Sequence, residues 1–176
     1  MSKLCRSLCL MIFIFSACNG RTYSSAAESP EALMNNWVGT WKIELSLKKS
    51  ALIPEAMTLK GTETRQWILK KQFFQIRQTY AGGAYQKLSL MRYDPNQDIF
   101  LFWDFDSKGG FPMGITRGKW DQDKSEIAIS GEYLGGATAE GVIRLEDDDH
   151  AEMNLTVTSA DGTVLIDLEV TADRSN

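Results

Sequence analysis

The chain has 176 residues, 43% of them apolar and 24% charged, with a net charge of −4 and a single histidine. That length suits one domain, and the composition is that of an ordinary globular protein rather than a disordered or fibrous one. If the N-terminal segment with Cys5 and Cys9 is removed as a signal, one histidine and one cysteine remain, too few ligands for a zinc site, and the acidic balance argues against a nucleic-acid partner.

Residues 1–17 stand apart. Lys3 and Arg6 precede an apolar run from Leu8 to Phe15 that is too short to span a bilayer as a helix, and Phe15-Ser16-Ala17-Cys18 places small residues before a cysteine. This is the layout of a secretory signal. Its end resembles the lipobox of bacterial lipoproteins, and that resemblance implies cleavage before Cys18 and lipidation of its sulfur. Residues 18–28 then form a small, polar tether and 29–176 the folded domain. Asn19 is not the aspartate that retains lipoproteins in the inner membrane, so by analogy with enteric bacteria the expected address is the outer membrane, facing the periplasm. Loss of Lys3 and Arg6 leaves 17 basic against 23 acidic side chains, a net of −6, so membrane attachment is expected through the lipid alone. Cys5 and Cys9 fall in the discarded segment, and no disulfide is expected in the domain.

Ser29 followed by Pro30 predicts a helix start, with a capping side chain and proline where its missing N–H costs nothing. About two turns follow, and Leu33, Met34 and Trp37 are placed to close one mouth of a barrel. From Trp41 the residues alternate apolar and polar, the period of a half-buried strand. Strands are predicted at Thr40–Lys49, Met57–Leu69, Gln72–Tyr80, Tyr85–Tyr93, Ile99–Phe105, Met113–Trp120, Glu126–Tyr133, Thr138–Leu145, Glu152–Thr158 and Val164–Thr171, separated by turn-forming stretches such as Ala81-Gly82-Gly83 and Asp94-Pro95-Asn96-Gln97. The expected fold is all-β, an antiparallel up-and-down barrel of about ten strands after a short helix, because closure removes exposed sheet edges. In the fifth strand, Ile99, Leu101, Trp103 and Phe105 are taken as the inward set. Phe100 and Phe102 are then outward, covered by the helix or by a protein partner, and Asp104 and Asp106 point outward with them.

Gly39-Thr40-Trp41 resembles the opening of calycins, the superfamily of lipocalins and fatty-acid-binding proteins. With Tyr93-Asp94-Pro95 and Trp103-Asp104, it is also similar to an uncharacterised family of bacterial lipocalin-like domains. The chain departs from true lipocalins in its strand count and its lack of disulfides. A haem-binding branch of ten-stranded barrels uses an axial histidine near the chain end, but His150, the one histidine, sits beside an acidic turn and reads as a solvated turn residue. No cofactor is expected.

Asp94 to Asp98 begins like a calcium loop but lacks the required glycine and the closing glutamate, so it reads as a turn, as does Glu146 to Asp149. Arg65 shares its strand face with Leu59 and Trp67, and Arg92 shares its face with Leu88 and Leu90, so both guanidinium groups are expected inside the barrel. A buried arginine needs acceptors around it, and Glu63 can supply one. In fatty-acid-binding relatives internal Arg and Tyr side chains hold a ligand carboxylate. That resemblance makes Arg65, Arg92, Tyr80 and Tyr133 candidate ligand contacts, with Trp103 as a core or stacking aromatic. No nucleophile, base and orienting group can be assembled for an enzyme. The leading reading is an envelope lipoprotein whose barrel sequesters a small, partly apolar molecule, carboxylate-bearing by the same resemblance; the alternative is a side-chain-filled barrel serving as a protein-interaction module.

Overall fold

The computed structural model describes residues 29–109 and 115–175. Cys18, and the expected start of the sixth strand at Met113, lie outside the described residues. The helix α1 (Pro30–Asn36) is followed by ten strands: β1 (Gly39–Leu47), β2 (Met57–Ile68), β3 (Phe73–Tyr80), β4 (Tyr85–Asp94), β5 (Ile99–Asp106), β6 (Thr116–Asp121), β7 (Glu126–Glu132), β8 (Thr138–Leu145), β9 (His150–Thr158) and β10 (Val164–Arg174). Each strand pairs antiparallel with its sequence neighbours, and β10 pairs with β1 to close the barrel. The all-β, ten-stranded expectation is met.

Ser29 caps α1 through its hydroxyl, which accepts from the Ala32 N–H at 3.2 Å. Leu33, Met34 and Trp37 are buried against Phe74, Met91, Phe100 and Phe102, so the helix plugs one mouth of the barrel as its apolar residues predict. The Trp67 indole donates to the Asn35 side-chain oxygen at 2.8 Å and ties the same helix to β2.

The seam between β1 and β10 is built on the Gly39-Thr40-Trp41 triplet. Trp41 faces Arg174 directly across the ladder. The Arg174 guanidinium lies 4.4 Å from the Trp41 ring centre and donates to the backbone oxygens of Val38, Asn36 and Asp148 and to the Asp149 carboxylate. A methyl group on Gly39 would sit 2.7 Å from Arg174 Nη1, and the φ of +149° at this position is one that other residues rarely adopt. Glycine opens the space that the guanidinium fills.

The inward face of β5 is the reverse of the expected one. Phe100 and Phe102 are 0% and 7% exposed and belong to the core, whereas Phe105 is 38% exposed and Trp103 half-buried on the outer wall. The outer partner surface expected at Phe100 and Phe102 is therefore absent, and Asp104 turns inward with them. Both faces of this strand are apolar, so periodicity could not choose between them, and the register with β4 decides: Met91, fully buried, stands opposite Phe102.

Arg174→Ala leaves several strand-end and helix-end carbonyls without a donor and removes the outer cover of Trp41. It is expected to destabilise the domain by about 2–3 kcal/mol, read as a lowered midpoint in chemical denaturation, with a red-shifted tryptophan emission before global unfolding.

Candidate functional site

In an antiparallel ladder, residues directly opposite one another point to the same side of the sheet, so cross-strand rows transmit an orientation around the barrel. Two such rows carry polar side chains inward. One runs Glu63, Gln78, Lys87 across β2, β3 and β4; the other runs Arg65, Ile76, Ser89, Asp104 across β2 to β5. Thr116 on β6 and Tyr133, just beyond β7, extend the polar wall, and their hydroxyls lie 3.3 Å apart. The opposite wall, from β7 to β10, is apolar: Ile129, Ile143, Met153, Leu155, Val170 and Ala172. Between the walls lies a cavity of about 100 Å³.

Arg65 is 8% exposed and Glu63 3%. Arg65 Nε donates to Glu63 Oε1, Gln78 Nε2 donates to Glu63 Oε2 at 2.5 Å, and the guanidinium carbon stands 4.0 Å from the Trp41 ring centre and 5.3 Å from that of Trp37. Arg65 Nη1 is fully buried and has no hydrogen-bond partner. An unmet N–H on a buried cation costs about 1–3 kcal/mol or more, and this one belongs to a residue that lines the cavity.

The second polar cluster centres on Asp104. It accepts from the Ser89 hydroxyl, and the Lys87 ammonium lies 3.1 Å from the same oxygen. Burial by itself would raise the Asp104 pKa, but the Lys87 charge and the Ser89 hydrogen bond outweigh it and hold the carboxyl below the usual range. Burial likewise opposes the charge on Lys87, and the field of Asp104, with Tyr85 and Tyr133, overcomes it and raises the ammonium pKa. The Lys87 and Asp104 side chains remain 29% and 42% accessible, so this end of the cavity is wetted.

Of the residues singled out in the sequence, Arg65 and Tyr133 line the cavity together. Tyr80 faces inward but is packed 5.8 Å from the Tyr85 ring in the core beside Trp41 and Ile43; burial pushes its pKa up, reinforced by Glu63. Arg92 and Trp103 correct the expectation, because both lie on the outer wall. Arg92 is exposed over the Phe73 ring at 5.8 Å, and Trp103 meets the same ring edge-on at 5.9 Å. The expected inward set of β4, Leu88 and Leu90, is outward with Arg92, and Lys87, Ser89 and Met91 are inward. Sequence reasoning missed Gln78, Lys87 and Ser89 and placed Asp104 on the wrong face. A usable signal was the short turn between Tyr80 and Tyr85, which sets those two residues opposite each other and fixes the parity of β4.

Asp94 and Asp98 are engaged in their own turn: Asp94 accepts from Asn96 N and Gln97 Nε2, and Asp98 from the Tyr93 hydroxyl. His150 begins β9 on the outer wall. Its Nδ1 is 2.7 Å from Asp173, and its Nε2 is 3.7 Å from both Glu146 and Glu152. Three carboxylates thus surround the ring and favour its charged form.

A family model described as "Protein of unknown function (DUF1579)" matches residues 26–174. The chain belongs to this family. Among solved structures, the DUF1579 chain is similar to Rv2717c from M. tuberculosis, with a TM-score of 0.61 and 13% identity over 82% of this chain and 96% of that one. It is also similar to a protein of unknown function from the DUF3598 family of Nostoc punctiforme, with a TM-score of 0.59 and 14% identity over 81% of this chain, which spans about half (49%) of that longer protein. At such identities the likeness is one of fold. No curated protein matches.

The hydrogen bond to Asp173 raises the His150 pKa above 6.5 despite some burial, and the charges of Asp173 and Glu146 add to it. A group whose folded pKa exceeds its unfolded one stabilises the fold fully below the unfolded pKa, and that stability is lost as pH rises through the folded pKa. An NMR titration is expected to place His150 above 6.5, and Asp173→Asn to bring it down.

Proposed function

We propose that this DUF1579 protein is an envelope lipoprotein whose barrel binds a small, partly apolar molecule bearing a carboxylate or similar anionic oxygen. The observation that carries the binding reading is the Arg65 Nη1 N–H, buried and unpartnered, on a residue of a cavity that is polar on one side and apolar on the other. An oxygen acceptor at that atom would give it the hydrogen-bond partner it lacks, and the β7–β10 wall would cover the apolar part of the ligand. Lys87 and Asp104, still reached by water, offer a donor and an acceptor to a second polar group.

Size restricts the ligand. Ligand sites for drug-sized molecules run to several hundred cubic ångströms, and a cavity near 150 Å³ takes a molecule as small as benzene. At about 100 Å³, the occupant is compact, with on the order of half a dozen heavy atoms. The same small volume favours the alternative reading of a mainly side-chain-filled barrel that serves as an interaction module.

Native mass spectrometry of the chain taken gently from a bacterial envelope separates the two. Binding predicts an added mass that is lost on denaturation and is weakened roughly tenfold or more when Glu63→Gln and Arg65→Met are combined, which removes both charges at similar volume. Ala172→Leu, which fills the cavity and leaves the charges in place, is expected to abolish it too. A clean mass together with no uptake of short carboxylic acids would shift the assignment to the interaction module.

The envelope reading is supported by the charged start, the short apolar run and the Phe15-Ser16-Ala17-Cys18 sequence. Metabolic labelling with a tagged fatty acid is expected to mark the wild-type chain, and Cys18→Ser to lose the label and release the protein into the soluble fraction.

A further inference from the structure

The barrel's outer wall is divided by charge in a way that the net charge conceals. From β7 to β10 the outward side chains include Glu132, Glu140, Glu152, Asp167 and Glu169, against Arg144 and His150, both of which are paired with acids. From β3 to β6 they include Arg77, Arg92, Arg117 and Lys119, all exposed, and between these lies a strip of Phe73, Leu88, Leu90, Leu101, Trp103 and Phe105. The two acids on the same face, Asp94 and Asp121, stand at strand ends and are already engaged, Asp94 by its own turn and Asp121 by Lys124 at 3.0 Å. Elsewhere Lys48, Lys60, Lys124, Arg144 and Arg174 each have an acidic partner, and among the described residues Lys42 and Lys49, on and just after β1, are in no ion pair. Among the described residues none of the four cations on this face is in an ion pair, and only Arg92 has a ring partner.

We propose that this β3–β6 face rests on the surface of a phospholipid bilayer with anionic head groups. A tryptophan such as Trp103 favours the head-group level, where one edge of the ring is apolar and the other wet, and the apolar residues around it add shallow burial. Arginine and lysine near an anionic surface each add about a five-fold gain in partitioning, the equivalent of ~1 kcal/mol. The acidic β7–β10 wall is repelled from the same surface, so the charge division fixes which side of the barrel faces the lipid. The strip lies on the outer wall of a closed barrel, with Phe105 exposed and the other side chains half-buried, which suits shallow contact with a deformable head-group layer better than a rigid protein pocket. Ser29 and Pro30 border the same groove as Arg92 and Tyr93, so α1 begins at the edge of this face. The assignment stands apart from lipidation of Cys18.

Co-sedimentation of the chain carrying Cys18→Ser tests it, with phosphatidylcholine vesicles compared with vesicles that also contain phosphatidylglycerol. Binding is expected to be at least roughly tenfold stronger to the anionic vesicles, and to fall as salt is raised. Arg77→Gln with Arg117→Gln should weaken it a further 20- to 30-fold, by about five-fold for each cation. Lys42→Gln with Lys49→Gln, on the other side of the barrel, should leave it unchanged. Equal binding to both vesicle types, no binding to either, or equal losses in the two double variants would each overturn the proposal. Circular dichroism of the variants guards against loss of fold.

Discussion

Trp41 lies between two guanidinium groups, and the rest of the barrel depends on that sandwich. Arg65 covers the ring from within at 4.0 Å and Arg174 from the seam side at 4.4 Å, while the indole N–H donates to the Trp37 carbonyl at 3.2 Å. The ring is 1% exposed. One side chain thus joins three parts of the structure: the β1–β10 closure, the helix that plugs the mouth, and the arginine that lines the cavity. Cations over a desolvated indole are favourable contacts, and here they also hold two charged side chains in fixed positions. Loosening Trp41 would unseat Arg65 and the helix together.

The cost of this arrangement falls in the interior. Glu63 with Arg65, and Lys87 with Asp104, place two ion pairs inside a barrel that could have been filled with aliphatic side chains. Buried pairs often contribute less stability than apolar residues of the same volume, because desolvation offsets their attraction. The two pairs differ in how they are satisfied. Lys87 and Asp104 keep contact with water. Glu63 is met by both Arg65 and Gln78, but Arg65 Nη1 is left without a partner. A fold selected for stability alone would be better served by apolar packing here, and this is why the cavity, rather than the barrel as such, carries the functional reading.

Strand number, the turns and the helical plug were legible in the sequence because each rests on local chemistry: Ser29-Pro30 at a helix start, glycine and Asp-Pro at turns, alternation in β1. Residues 138–145 form a strand with the ends their pattern implies. Orientation was legible only where the two faces of a strand differ. In β2, Glu63 and Arg65 alternate with Thr64 and Gln66, and Trp67 shows which way they point. In β4 and β5 apolar residues occupy both faces, and the choice made on hydrophobicity put Arg92, Trp103, Phe102 and Asp104 on the wrong sides. A shift of one residue inverts every side chain of a strand, so a single misjudged parity accounts for the whole group of corrections.

That inversion connects the two functional assignments. On β4 and β5 the polar residues Lys87, Ser89 and Asp104 point in and the apolar residues Leu88, Leu90, Leu101 and Trp103 point out, the reverse of a barrel built only to be dry inside and wet outside. Departures from binary patterning are expected where function competes with stability. Here the same two strands supply the polar wall of the cavity and the apolar strip of the outer face. Exchanging inward for outward residues on these two strands would remove both features at once. The part of the chain hardest to read by hydrophobic period is therefore the part where the interior and the surface are both specialised.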